Sequence, residues 1–245
     1  MSSGIPATVT AALRAARLVL VLTGSGASAE SGVPTFRDAQ SGLWEQFDPH
    51  ELATPEAFLR DPALVWRWYR WRRELVSRTE PNAGHYALAT LEERLPRLTL
   101  VTQNVDGLHQ RAGSTQVTEF HGNLFATRCF SSNCAFGSTD EDADVPRCAV
   151  CGGLLRPGVV WFGEAIPAAA LATSEAAAAE CDLFLSIGTS STVWPAAGLA
   201  QAAAARGALV VEINPDETAQ SGISDYALRR KSGELLPELV DSLAV

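Results

Sequence analysis

Cysteine, histidine, glycine and amide side chains stand in this sequence at spacings that suit chemistry. Four cysteines form two close pairs, Cys129-x4-Cys134 and, thirteen residues further on, Cys148-x2-Cys151-Gly152-Gly153. Four thiolates so paired satisfy the tetrahedral geometry of zinc and leave no ligand position for a substrate water. The spacing therefore points to a structural ion rather than to two disulfides or free thiols. The fifth cysteine, Cys181, reads as a small buried apolar residue. An odd cysteine count in a chain of this length suits a disulfide framework poorly and suggests a reducing compartment, the cytoplasm.

Three further motifs follow short apolar runs. In Thr23-Gly24-Ser25-Gly26-Ala27-Ser28-Ala29-Glu30, the glycines let the backbone turn tightly and approach a pyrophosphate, whose charge is favoured by free N–H groups at a helix start. Ala29 stands where a GxGxxG signature has its third glycine, so an ordinary strand-to-helix turn explains these residues equally well. The continuation Ser31-Gly32-Val33-Pro34-Thr35-Phe36-Arg37 is less ordinary, a Gly/Pro segment that carries an aromatic and an arginine as a lid would. In Thr102-Gln103-Asn104-Val105-Asp106-Gly107, amide and carboxylate groups suit ribose hydroxyls and a carboxamide, although Asn104 or Asp106 would equally cap a helix through an Asx turn. His121, in Glu119-Phe120-His121-Gly122, is a lone histidine of the kind that is usually structural. Its place at the end of the run 117–120, toward the same crevice, raises the alternative of acid–base work by an imidazole that titrates near neutral pH.

These residues need a scaffold, and the apolar pattern supplies one. Runs at 18–22, 98–102, 183–187 and 209–213 read as strands, separated by helical stretches at 8–17, 85–94, 174–180 and 196–206. Strands that are apolar without a period of two, alternating with helices, predict an α/β fold with a Rossmann-like, doubly wound parallel sheet covered on both faces. Ligands in such sheets bind at the carboxyl ends of the strands, where Gly24, Gln103, Gly188-Thr189-Ser190 and Asn214 would converge. Two stretches interrupt the alternation, one with the Trp- and Arg-rich helix at 65–76 and one with the paired cysteines. The expected division is a sheet domain of 1–37, 82–122 and 158–245, with a smaller lobe made of a helical insertion, 38–81, and a zinc-binding insertion, 123–157.

Composition excludes several classes. With 47% apolar and 19% charged residues over 245 positions, the chain can bury a sizeable core and is not a disordered one. Its 19 basic against 28 acidic residues leave a net charge of −9, which argues against a dedicated nucleic-acid binder. No apolar run approaches the roughly 18 residues of a membrane helix. The run 18–22 after Arg14 and Arg17 is shorter than the roughly 7–15 residues of a secretory h-region, and a buried strand is expected there.

Taken in order, the Gly-Ser-Gly loop with Ser28, Glu30, Ser31-Gly32, Pro34 and Phe36-Arg37, then Thr102-Gln103-Asn104-Val105-Asp106, His121-Gly122, the two cysteine pairs, Gly188-Thr189-Ser190 and Ile213-Asn214-Pro215 resemble the sirtuin family of NAD-dependent protein deacylases. The likeness runs from about residue 18 to the end of the chain. Ser25 and Ala27 depart from the residues usual in that family. The resemblance implies that Gly24, Ser25, Gly26 and Glu30 form the NAD loop and that Phe36 and Arg37 belong to a mobile cofactor loop. It gives Gln103 to the nicotinamide ribose, and Asn104 and Asp106, with His121 as general base, to the catalytic pocket. Gly188, Thr189 and Ser190 would hold phosphate or ribose, Asn214 the adenosine ribose, and the Ser232 backbone would lie near adenine. Val160-Trp161-Phe162-Gly163-Glu164 resembles the family's substrate strand, which pairs with an acyl-lysine peptide by β-augmentation.

One local match narrows the class. Tyr69 and Arg72 occupy the Tyr-x-x-Arg positions of sirtuins that remove negatively charged acyl groups, and Ala53 is the small residue that opens their acyl pocket. The plain reading is an amphipathic helix with aromatics packed inward and arginines solvated. The resemblance implies a deacylase that prefers succinyl- or malonyl-lysine, retains some deacetylase activity, and yields nicotinamide and O-acyl-ADP-ribose, the zinc taking no chemical part. Two competing readings are a mono-ADP-ribosyltransferase using the same NAD pocket, against which His121, Tyr69 and Arg72 argue, and a non-catalytic module whose arginines bind nucleic acid. Acyl-lysine proteins or peptides are the expected partners, with no membrane.

Overall fold

A computed structural model describes residues 4–34, 48, 52–130, 134 and 143–243. Phe36 and Arg37 lie outside these. Six strands, β1 (Val19–Thr23), β2 (Leu98–Thr102), β3 (Val117–Glu119), β6 (Leu183–Ile187), β7 (Leu209–Ile213) and β8 (Tyr226–Leu228), form one sheet in the order β3-β2-β1-β6-β7-β8. All neighbours in it are parallel. Chain order runs outward in both directions from β1 and β6, so the switch in strand order falls between them.

The core explains why the runs are apolar throughout. Val19 and Val21 of β1 point into one cluster, with Val9 and Leu13 of α1 (Ala7–Ala15), Leu88 and Leu91 of α5 (Ala83–Arg94) and Leu235, Leu236 and Leu239 of α9 (Ser232–Ser242). Leu18, Leu20 and Leu22 point to the opposite face, against Ala177 and Ala178 of α7 (Ala168–Glu180) and Leu199, Ala200 and Ala203 of α8 (Gly198–Ala205). Both faces of the sheet are therefore dry, as a doubly wound fold requires. Three strands occupy the expected residues. The first starts one residue late, because the Leu18 N–H is taken by the Asp182 carboxylate at 3.1 Å rather than by a neighbouring strand. α7 starts six residues ahead of the expected 174, since the alanine-rich stretch after Pro167 is made of strong helix formers. Among the described residues, no helix is long and apolar enough to cross a membrane.

A separate antiparallel pair, β4 (Gly122–Cys129) and β5 (Leu155–Val159), has its own core. There Leu124, Leu155 and Trp161 pack with Phe58 of α3 (Pro55–Arg60) and Trp66, Trp68 and Tyr69 of α4 (Pro62–Ser77). Asp61 caps α4 by accepting the Leu64 N–H at 2.9 Å, and Pro62 sits where its missing N–H costs nothing. The aromatics of α4 do pack inward. Its arginines divide: Arg67 is exposed, whereas Arg73 donates to the Leu124 and Ala126 carbonyls at 2.7 and 2.8 Å and ties the helix to β4. Two very short elements complete the chain, α2 (Gly26–Ala29) and α6 (Leu108–Arg111).

Candidate active site

Register builds the site. Thr23 pairs with both Thr102 and Ile187, Thr102 with Glu119, and Ile187 with Ile213, so the strands end level. The residues just past those ends, Gly24, Gln103, His121, Gly188 and Asn214, therefore lie along one edge. The loops touch through backbone: Gly26 N–H donates to the Gly188 carbonyl at 2.8 Å, and a Cβ on Gly26 would stand 2.8 Å from Gly188 Cα and O. A side chain is excluded there, so the loops after β1 and β6 meet backbone to backbone at the start of α2.

Hydrogen bonds connect the polar residues of the edge. Gln103 Nε2 donates to Thr189 Oγ1 at 2.9 Å, and Asn214 Nδ2 donates to the Thr189 carbonyl at 3.1 Å. Ser190 Oγ lies 2.9 Å from Thr192 Oγ1, and Ser25 is exposed. Glu30 does not point into the loop alone: its carboxylate accepts the Gly233 N–H at 2.8 Å and the Ser232 hydroxyl at 3.3 Å, capping the start of α9. Asp106 accepts the Leu108 N–H at 2.9 Å, so the Asx-turn role foreseen for it is real, and its charge also faces Arg72 and His85.

His121 follows β3 directly. Its Nδ1 lies 3.1 Å from the Gln103 carbonyl, and a carbonyl can only accept, so Nδ1 carries the proton and Nε2 keeps its lone pair. Burial holds the imidazole below its ordinary pKa, and the Gln103 carbonyl opposes that in part. A neutral imidazole with a lone pair on Nε2 is the form a general base needs.

The expected strand at 160–164 is instead an irregular segment ending in a turn. β5 stops at Val159. Val160 N–H donates to the His121 carbonyl at 2.8 Å, Phe162 N–H to the Ala53 carbonyl at 2.9 Å, and Trp161 N–H to Glu164 Oε2 at 2.8 Å, while Gly163 takes a φ of +82°. These bonds bring His121, Ala53 and the segment together, and they occupy three N–H groups that a continuous pairing edge would have offered. Tyr69 and Arg72 join the same group. The Tyr69 hydroxyl accepts the Trp161 indole N–H at 2.8 Å, and the half-buried Arg72 guanidinium lies 5.0 Å from the Trp68 ring centroid and 5.9 Å from that of Tyr69.

The four paired cysteines converge at the far end of β4. Their Sγ atoms all lie within 4.8 Å of one another, with contacts of 3.0, 3.4, 3.5 and 3.9 Å. Tetrahedral zinc with Zn–S of about 2.3 Å needs sulfurs about 3.8 Å apart, so this all-thiolate set fits the ion. Cys129, Cys134, Cys148 and Cys151 would hold it and fill all four positions of the tetrahedron.

Several contacts around the site escape single-sequence reading. Ser28 Oγ accepts Asn104 Nδ2 at 3.0 Å and lies 3.3 Å from His85 Nε2, whose other ring nitrogen accepts the Asn82 N–H. His109 Nε2 lies 2.9 Å from Thr23 Oγ1, and the two imidazoles meet edge-on with centroids 4.8 Å apart. Gln220 accepts the hydroxyls of Ser186 and Ser191, fixing the loop after β6. Apart from the Asn82–His85 capping box, these contacts join positions far apart in the chain, so no local pattern gives the partners.

This fold and site define a family, and the chain belongs to it: the model of the Sir2 family matches residues 24–195. Among curated relatives, the chain is 52% identical over 242 residues to the NAD-dependent protein deacylase of Methylococcus capsulatus, covering 95% of each. It is 50% identical over 237 residues to NAD-dependent protein deacylase 1 of Pseudomonas aeruginosa, covering 93% of this chain and 95% of the other. The crystal structure of a Sir2 homolog–NAD complex superposes with a TM-score of 0.92 at 44% identity, covering 99% of this chain and 95% of that one.

Proposed function

We propose that this NAD-dependent protein deacylase acts preferentially on lysines bearing short acidic acyl groups, succinyl or malonyl, and retains some activity on acetyl-lysine. The observation that carries the preference is the grouping of the Tyr69 hydroxyl and the Arg72 guanidinium, one helical turn apart on α4, beside Ala53 and the segment that the His121 carbonyl anchors. A guanidinium and a phenol together suit a terminal carboxylate, and charge-assisted bonds are the stronger kind. Arg72 is partly desolvated and stacked on Trp68, so its fork is held in place.

NAD supplies an electrophilic ribose carbon with nicotinamide as leaving group. In this reading Gly24, Ser25, Gly26, Gly188, Thr189 and Ser190 bind its phosphates and riboses at the switch point, with Asn214, Glu30 and Ser232 at the adenosine end. Gln103 contacts the nicotinamide ribose, while Asn104, held by Ser28, and Asp106 line the nicotinamide pocket. His121 Nε2 accepts a proton from a ribose hydroxyl. Val160, Trp161, Phe162 and Gly163 border the acyl-lysine. Zinc held by the four cysteines serves the fold of its lobe and not the reaction. The test is nicotinamide release from matched acetyl- and succinyl-lysine peptides with NAD: a higher kcat/KM on succinyl-lysine is expected, and equal or reversed values would overturn the preference.

A further inference from the structure

The Tyr69 hydroxyl has one donor hydrogen and two lone pairs, and an indole N–H can only donate. With Trp161 Nε1 donating to Tyr69 Oη at 2.8 Å, the phenolic hydrogen cannot point back at Trp161. Trp161 is itself fixed from several sides. The guanidinium carbon of Arg156 lies 3.3 Å from the indole centroid, and Phe58 packs on the ring at 5.4 Å. Arg156 in turn donates to the Val159 carbonyl at 2.8 Å and to Glu164 Oε2 at 2.9 Å, and that same carboxylate oxygen accepts the Trp161 backbone N–H at 2.8 Å. Trp161, Arg156 and Tyr69 are all at least 98% buried. The indole therefore has one orientation, set by a closed ring of contacts through Arg156 and Glu164.

From this geometry we infer that Trp161 is a positioning residue for acyl-group selection: its indole N–H occupies a lone pair of the Tyr69 hydroxyl and aims the phenolic hydrogen at the terminal carboxylate of the acyl group, beside Arg72. Among the described residues, Trp161 is the hydrogen-bond partner of that hydroxyl. Burial keeps the phenol protonated, with its pKa pushed up to about 12, so the hydroxyl remains a donor across the working pH range. Donation to the phenol oxygen also polarises its O–H bond and strengthens the outgoing bond. Acetyl-lysine presents no acceptor at this place, so the effect is confined to acidic acyl groups. The inference rests on the acidic-acyl reading above and assigns the side chain of Trp161 a task separate from its backbone.

The experiment compares kcat/KM on succinyl- and acetyl-lysine peptides for Trp161→Phe, Tyr69→Phe, their double variant and Arg72→Met, with thermal melts alongside. Trp161→Phe keeps a ring and removes the N–H. It is expected to lower the succinyl-to-acetyl ratio by about threefold to tenfold, the size of one hydrogen bond, chiefly through KM for the succinyl peptide. In the double variant the ratio is expected to match that of Tyr69→Phe, since without the hydroxyl there is nothing to orient. If Arg72→Met lowers the ratio while Trp161→Phe leaves it within about twofold, the inference is wrong and the acidic-acyl reading stands. If Arg72→Met leaves the ratio unchanged, both fall. A proportional loss on both peptides in Trp161→Phe would make the indole structural and overturn the inference. Should that variant not fold, Tyr69→Phe decides: an unchanged ratio overturns it.

Discussion

His121 Nδ1 lies 3.1 Å from the Gln103 carbonyl, and this contact determines which nitrogen of the imidazole is available as a base. The backbone of one strand end thus fixes the tautomer at the next and ties the proposed base to Gln103, the residue proposed to face the nucleotide ribose. Replacing His121 by Ala is expected to cost about 10²–10⁴-fold in deacylation rate with little change in NAD affinity or melting temperature. Steady-state kinetics with calorimetric NAD titration checks this, and a near-normal rate would remove His121 from the mechanism.

Arg72→Met is expected to lower kcat/KM on succinyl-lysine by at least about tenfold, given roughly 1.5–3 kcal/mol for a hydrogen bond to a charged group. Tyr69→Phe deletes a neutral donor and is expected to cost less. Deacetylation falls by a smaller factor in both. Equal losses on the two peptides would return these residues to plain helix packing.

Removing a zinc thiolate, as in Cys148→Ser, is expected to lower the melting temperature and the turnover together, because structural zinc binding is coupled to folding. Chelation of the wild-type chain has the same expected result. Metal analysis of the purified variant and of the wild type completes the test; an unchanged melt after metal loss would contradict the assignment.

Gly26→Ala places a methyl 2.8 Å from the backbone of Gly188 and forces apart two loops that meet at the switch point. Overpacking of this kind costs about 1–3 kcal/mol. A rise in KM for NAD is expected to exceed any change in KM for the peptide, measured by varying each substrate in turn.

Three histidines are held neutral by burial: His85, His109 and His121 all lie below the ordinary value of 6.5, His109 at about 3 with a further push from His85. Between pH 6.5 and those lowered values the unfolded chain binds protons that the folded chain refuses. Stability is therefore complete above pH 6.5 and falls as the pH drops, for His109 down to about pH 3. Each such proton changes stability by about 1.4 kcal/mol per pH unit. Denaturant melts from pH 7 to pH 5 are expected to show the decline, and His109→Leu to make it shallower; an identical slope in that variant would exclude His109 as a source.

The sequence carried the sheet well because its strands are buried on both faces, and an apolar run such as Leu183–Ile187 then has no competing interpretation. Glu212 shows the limit of that rule. It sits 99% buried within β7, satisfied by the hydroxyls of Thr218 and Ser221 and by Arg229 at 2.9 Å, partners that no periodicity reveals. The segment 160–164 was expected as a strand, and its conformation was not legible in the sequence. Its course follows from the Glu164 carboxylate capping Trp161 N–H and from a left-handed Gly163, both local choices made by tertiary packing. The cysteine pairs needed no such context, since metal geometry alone limits what they can do.

The chain passes from the large sheet to the small one in two residues, Phe120 and His121, between the end of β3 and the start of β4. The loops proposed to face the nucleotide belong to the first sheet, and of the side chains proposed to read the acyl group Ala53, Tyr69 and Trp161 are packed in the core of the second. Substrate appetite and coenzyme recognition are thus written in separate paragraphs of the same molecule. Selection, natural or in the laboratory, can then rewrite the diet of this enzyme at Ala53, Tyr69 or Trp161 and leave the loops that read the currency of the reaction in place, whereas Arg72, which faces the charge of Asp106, is tied to both.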